Sequence, residues 1–235
     1  MECVTWPDDI KRIGGGWQSS WHFDDLPIIG DGTPKDQLNI KMDPKNITTV
    51  LPQLFAWLQG HPDKNSLAYT TVMKHSASED EGKAQALRLL IHFYGDVHQP
   101  LHTSNRYTKD RPNGDRGGND FLLKNHYSAS ELHAVWDNAI YVNHKTPARP
   151  FTSSSFADFA TLTNNYMRGT SIPASLYETL NFARFRDESF EYAKHVYDGL
   201  TEGKDQVVPD NYIAKWTPIA KERVILAAYR LAYAI

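Results

Sequence analysis

Apolar residues recur at helical spacing in several stretches of this chain. Leu87, Leu90, Ile91 and Tyr94 stand at i, i+3, i+4 and i+7, which predicts an amphipathic helix over residues 79–95. Pro100 should end that helix near Gln99. Val50, Leu51, Leu54, Trp57 and Leu58 predict a helix over residues 48–59. The spacing of Ile219, Val224, Leu226, Ala227 and Leu231 predicts a packed terminal helix from residue 217, preceded by another long helix over about residues 174–200. Thr5 and Asp8 have capping-box spacing with Pro7 in the first turn, so a short helix is expected over residues 5–10, stopped by Gly14-Gly15-Gly16.

Between these segments the pattern is irregular. Residues 24–46 carry Gly, Pro and Asp without a period and predict a loop. Residues 103–119, ending in Gly114-Asp115-Arg116-Gly117-Gly118-Asn119, predict another. Residues 121–127 read as a short strand or extended segment. Ser128-Ala129-Ser130-Glu131 reads as a capping box opening a helix that bears His133 and Asp137. The pattern is therefore mainly α, without repeats, low-complexity tracts or a linker. We expect one domain over residues 1–235, a helical bundle with long loops and room for a short hairpin.

Composition narrows the function. With 40% hydrophobic and 23% charged residues in 235, the chain can build a proper core. A formal net charge of -3 provides no basic surface to hold a polyanion, so a nucleic-acid partner needs local cations, metal ions or stacking. Cys3 is the only cysteine, which excludes a disulfide within the chain. No apolar stretch reaches membrane-spanning length, and no apolar leader follows Met1. Asn46-Ile47-Thr48 is a glycosylation sequon.

The densest chemistry lies in His92-Phe93-Tyr94-Gly95-Asp96-Val97-His98-Gln99-Pro100-Leu101-His102. His92 and Asp96 are four apart and share a helix face, on the side opposite the apolar stripe. His133 and Asp137 repeat that spacing. A helix holds such a pair stiffly enough to grip one ion, and imidazole with carboxylate is an ordinary zinc donor set. His98 points away from that face and reads as a supporting or structural residue.

Taken in order, Trp6-Pro7-Asp8, Trp21-His22-Phe23, the block from His92 to His102, Gly114 to Asn119 and Leu132-His133-Ala134-Val135-Trp136-Asp137 resemble the S1/P1 nuclease family of zinc-dependent nucleases. Glu188-Ser189 and Tyr229-Arg230-Leu231-Ala232 resemble its later helices, so the likeness covers nearly the whole chain. The resemblance implies the mainly α bundle of the phospholipase C/P1 nuclease type and three clustered zinc ions. Asp8, His22, His92 and Asp96 would hold the first ion, and His102, His133 and Asp137 the second. Asp96 would reach the third as well and is, with Lys11, the expected catalytic residue. Asp8 is preferred to Asp9 because the family places its ligand two after Trp. Phe23 would stack a base, Asp25 would hydrogen-bond it, and Asn119 would border the site.

The implied activity is hydrolysis of single-stranded DNA or RNA to 5′-nucleotides, with 3′-nucleotidase activity, in a secreted or secretory-pathway protein that needs no membrane and no obligate protein partner. The sequence departs from the family at two places. The opening Trp and His that complete the third zinc site have no counterpart before Trp6, so that site is expected to be incomplete. Lys11 stands where relatives carry arginine, which keeps the charge but loses the bidentate fork. Two alternatives follow: a zinc-dependent phospholipase C-like phosphodiesterase, or a catalytically impaired zinc-binding protein without the third metal.

Overall fold

The structure, a computed structural model, describes residues 2–145 and 149–235 but not the side chains of Glu2 and Cys3. The sequence reading of Cys3 therefore lies outside the described residues. Nine α-helices occur among the described residues: α1 (Trp6–Ile10), α2 (Ile47–Leu58), α3 (Leu67–Lys74), α4 (Glu79–Asp96), α5 (Leu132–Asp137), α6 (Ser153–Met167), α7 (Ala174–Tyr177), α8 (Phe182–Ala193) and α9 (Asp210–Ala234). Strands β1 (Leu26–Ile29) and β2 (Ser104–Tyr107) pair in parallel, Leu26 opposite Ser104. Strands β3 (Leu122–His126) and β4 (Ala129–Glu131) form an antiparallel hairpin. The mainly α class follows, and no described helix is long and apolar enough to cross a membrane.

The helices start where local chemistry satisfies their free N–H groups. Ser78 accepts from the Glu81 N–H at the head of α4, and Glu79, Asp80 and Glu81 favour the positive end of its dipole. Asn46 caps α2 by accepting from Thr49 N. Two apolar clusters result. One gathers α2, α3, α4 and α8 with Trp21; the other gathers the hairpin, α5 and the first half of α9. Val97 belongs to the first cluster and Leu101 to the second. The end of α4 and the 3-10 turn Pro100–Thr103 therefore span the seam between them, and Asp96 and His102 sit there.

Several expectations need correction. Residues 24–46 are not wholly irregular, because β1 finds a partner only once β2 is folded beside it. Leu87 lies outside the core; the buried face of α4 is Ala86, Leu89, Leu90, Phe93 and Tyr94, so His92 and Asp96 flank it rather than oppose it. The Thr5 capping box does not form, since Thr5 Oγ1 donates to Asp9 and Asp8 turns toward the imidazoles. Ser128 to Glu131 is no capping box either. Tyr127 and Ser128 take φ of 51° and 65°, a tight hairpin turn, and Ala129–Glu131 becomes β4. The expected helix over 174–200 is broken between α7 and α8, and α9 starts at Asp210, well before Thr217 and through Pro218. Helices α3 and α6 lie where the apolar pattern predicts no element.

Candidate metal centre

Two groups of donors converge at the seam. In the first, Asp8 comes from α1, His22 from the 3-10 turn Gly16–His22 and His92 from α4, with Asp96 of α4 against His22 and His92. His92 Nε2 lies 3.2 Å from His22 Nδ1, 3.4 Å from Asp8 Oδ2 and 3.3 Å from Asp96 Oδ2. In the second, His102 comes from the turn Pro100–Thr103, and His133 and Asp137 from α5. His102 Nε2 lies 3.1 Å from His133 Nε2 and 3.5 Å from Asp137 Oδ1, and His133 Nε2 lies 3.6 Å from Asp137 Oδ2. Donors of a tetrahedral zinc at ~2.0–2.1 Å stand ~3.3–3.4 Å from one another. These separations are close to that edge length.

The surrounding hydrogen bonds decide which ring nitrogen faces inward. His92 Nδ1 donates to Val4 O at 2.7 Å, His102 Nδ1 to His22 O at 2.9 Å, and His133 Nδ1 to Gly117 O at 2.7 Å. His22 is fixed through Gln18. The Gln18 amide nitrogen donates to Pro7 O at 2.6 Å, which turns its Oε1 to His22 Nε2 at 2.6 Å, so that nitrogen carries the proton. His22 Nδ1 then presents a lone pair to Asp96 Oδ2 at 2.8 Å. Imidazole lone pairs and carboxylates facing one another call for a cation, and the donors fit zinc.

The electrostatics agree. Burial by itself would raise the Asp96 carboxyl, but His92, His102 and His22 reverse this and hold it well below the usual range. Asp137 behaves likewise: burial raises it, and His133 and His102 bring it down to about 2. Burial lowers His22 and His133. It also works against His102, yet Asp96 and Asp137 push that imidazole up to about 9. In the metal-free chain a proton thus sits on His102 where an ion would bind. Zinc binding at pH 7 should release about one proton from His102, and affinity should fall about tenfold per pH unit as pH drops below 9. Calorimetry in buffers of different protonation enthalpy measures that release; a zero slope would contradict it.

The remaining sequence candidates lie around these groups. Lys11 Nζ is 2.8 Å from Asp8 Oδ1 and 6.0 Å from the centre of the Phe23 ring. Phe23 stacks on His102, with centroids 4.8 Å apart and planes 10° off parallel. Phe23, Asp25 and Asn119 line one cleft of about 370 Å³ with Asn105 and Arg116. The Asp25 carboxyl has no hydrogen-bond or ion-pair partner among the described residues, and burial with Asp24, Asp115 and Asp43 nearby pushes it up to about 6. Asp9, the rejected neighbour of Asp8, pairs with Arg149 away from the donors.

His98 is buried elsewhere, donating to Tyr94 O at 2.7 Å and accepting from Arg230 Nη1 at 2.9 Å. Sequence reasoning missed Gln18, Gln99, Asn105 and Arg116. Gln99 donates to Asp137 Oδ1 at 2.9 Å. Only Gln18 left a signal, its spacing of four from His22. Gln18→Leu should keep the fold but weaken zinc binding by about 10–100-fold, because His22 loses the acceptor that sets its tautomer. Competition with a chromogenic chelator reads that change.

The family model described as S1/P1 Nuclease matches residues 1–235. Endonuclease 5 of Arabidopsis thaliana is 26% identical over 251 residues, covering 98% of this chain and 75% of the relative. Endonuclease 1 of the same plant is 43% identical over 146 residues, 59% of this chain and 40% of the relative. Nuclease P1 of Penicillium citrinum is 27% identical over 135 residues, 57% of this chain and 42% of the relative.

Proposed function

The chain belongs to the S1/P1 nuclease family, a family of hydrolases, and on that premise we propose that it is a zinc-dependent phosphodiesterase acting on single-stranded DNA or RNA. Its products are 5′-nucleotides, and 3′-monoesters are cleaved by the same site. The observation that carries the reading is the set of four imidazoles, each with one ring nitrogen committed to an oxygen and the other turned into a carboxylate-bearing pocket beside an aromatic cleft.

Asp8, His22, His92 and Asp96 hold one ion, and His102, His133 and Asp137 a second. Asp96 is the carboxylate the family shares with a third. Zinc, when bound, supplies Lewis acidity and neutralises charge at the phosphodiester. The protein's own groups do the rest. Lys11 brings a cation to the mouth of the first group, where the phosphate charge builds up. Phe23 offers a stacking face that only an unpaired base can reach, at ~1–3 kcal/mol per base. Asp25, without a partner of its own, receives the hydrogen bond of that base. The Asn119 amide nitrogen donates to Arg116 O at 2.8 Å, leaving its oxygen to the cleft. Because Phe23 lies on His102, the stacked nucleotide sits over the second group, and its 3′ oxygen is the leaving group.

Residues 1–235 act as one domain in this reading, and the protein travels the secretory pathway. A glycan on Asn46 belongs to the same reading. The Asn46 amide nitrogen donates to Asp24 at 3.2 Å, so the glycan would be added before that end of α2 closes.

The test is release of acid-soluble nucleotide from single-stranded DNA, with phosphatidylcholine assayed beside it. We expect nucleotide release that EDTA abolishes and zinc restores. Lipid turnover without nucleotide release overturns the substrate, and hydrolysis indifferent to EDTA overturns the metal.

A further inference from the structure

Beside the cleft at Phe23, sharing Asp25 and Asn105 with it, lies a second and larger one of about 620 Å³. Asp25 and Asn105 line both and form the sill between them. The second cleft lies on the far side of that sill from Phe23, and no metal-donor residue lines it. Its volume suits a ligand of nucleotide size.

Its chemistry is specific. Lys41 lines it and is exposed, with no acceptor for its ammonium among the described residues. Buried Tyr107 lines the same cleft. Asn39 and Asn113 meet across the cleft, amide to amide at 2.9 Å, and the Asn39 backbone N–H donates to Pro112 O at 2.7 Å, joining the two loops that form the wall. Met42, about half exposed, adds an apolar edge. A free cation, two amides and a thioether form a set that would receive a phosphate and a base together. Two carboxylates share the cleft with Lys41: Asp43, whose Oδ1 accepts from Lys45 N, and Asp25, which burial pushes up to about 6.

Direction along the strand follows from the site. If the nucleotide stacked at Phe23 departs through its 3′ oxygen at the second donor group, its 5′ side points away from the metals, across the sill. We propose that the Lys41 cleft is a subsite for the nucleotide on the 5′ side of the one stacked at Phe23, with Lys41 receiving the phosphate on that 5′ oxygen. This rests on the nuclease reading above. It makes the chain prefer bonds with a phosphate one position upstream, so terminal 5′-hydroxyl nucleotides are poor leaving partners.

A thymidine dinucleotide, which has one scissile bond, tests this when compared with and without a 5′-phosphate. The zinc-loaded protein should cleave the 5′-phosphorylated form about tenfold more efficiently in kcat/KM, the gain of one charge-assisted contact. In Lys41→Ala and in Asn39→Ala the ratio of the two substrates should fall toward one, and for the native chain it should shrink as salt rises. Equal rates on both substrates in the native chain, or a ratio unchanged in Lys41→Ala, overturn the subsite alone. Cleavage of neither overturns the nuclease reading with it.

Discussion

Replacing Asp96 by alanine should remove at least one zinc per chain and lower hydrolysis by at least about 10³-fold, several kcal/mol of lost metal assistance. Of the three donor carboxylates, Asp96 is the one that lies near three imidazoles. Its Oδ2 lies 2.8 Å from His22 Nδ1, 3.3 Å from His92 Nε2 and 3.9 Å from His102 Nδ1. It also stands on the last residue of an 18-residue helix, so its position is set by rigid backbone. His98→Ala, two residues on, is the control. His98 touches Arg230 and Tyr94 O in the core, and its loss should cost about 2–4 kcal/mol of stability while leaving the zinc content intact. Elemental analysis and thermal midpoints separate the two. Equal zinc loss in both variants would place His98 at the metals and refute the geometry.

Gly117→Ala should do comparable damage without touching a donor. Gly117 has φ of 61°, and a Cβ there would stand 2.3 Å from the backbone oxygen of Leu101 and 3.2 Å from that of Ser104. Neither backbone oxygen can swing aside as a flexible side chain would. The loop must move, and the Gly117 carbonyl that orients His133 moves with it, while the strain presses on the residue next to His102. We expect about 2–4 kcal/mol of destabilisation and about 100-fold weaker zinc binding. Gly60→Ala isolates the backbone cost, since Gly60 has φ of 85° with nothing near its Cβ position. That variant should lose only about 1 kcal/mol and no zinc. Similar metal loss in both would mean that the glycine loop acts through global stability.

The donor pairs were legible in the sequence because they are local. His92 with Asp96 and His133 with Asp137 stand at helical spacing, and the apolar period around the first pair marks its helix. Asp8, His22 and Lys11 have no such neighbours. They could be named only through likeness to a family, since nothing in their local pattern says what they face. The hairpin was misread for a related reason. Ser-x-x-Glu fits a helix start, yet the same residues pair with β3 once the chain turns back at Tyr127 and Ser128. Tertiary pairing overrode a weak local preference.

By itself, the chain's residue order determined the mainly helical class, which residue types could bind a metal, and two of the faces that carry them; side-chain period is a property of the backbone and is written locally. Only the tertiary structure decided that α1, the turn before Phe23, α4 and α5 meet at the seam between two apolar clusters. It alone set the inward nitrogen of each imidazole, because the acceptors doing so (Val4 O, Gln18, His22 O and Gly117 O) are held in place by packing and hydrogen bonds from outside the donor pairs. It also opened the Lys41 cleft, whose walls are two loops more than 60 residues apart in the chain, joined by the Asn39–Asn113 amide pair and by the Asn39 N–H on Pro112 O.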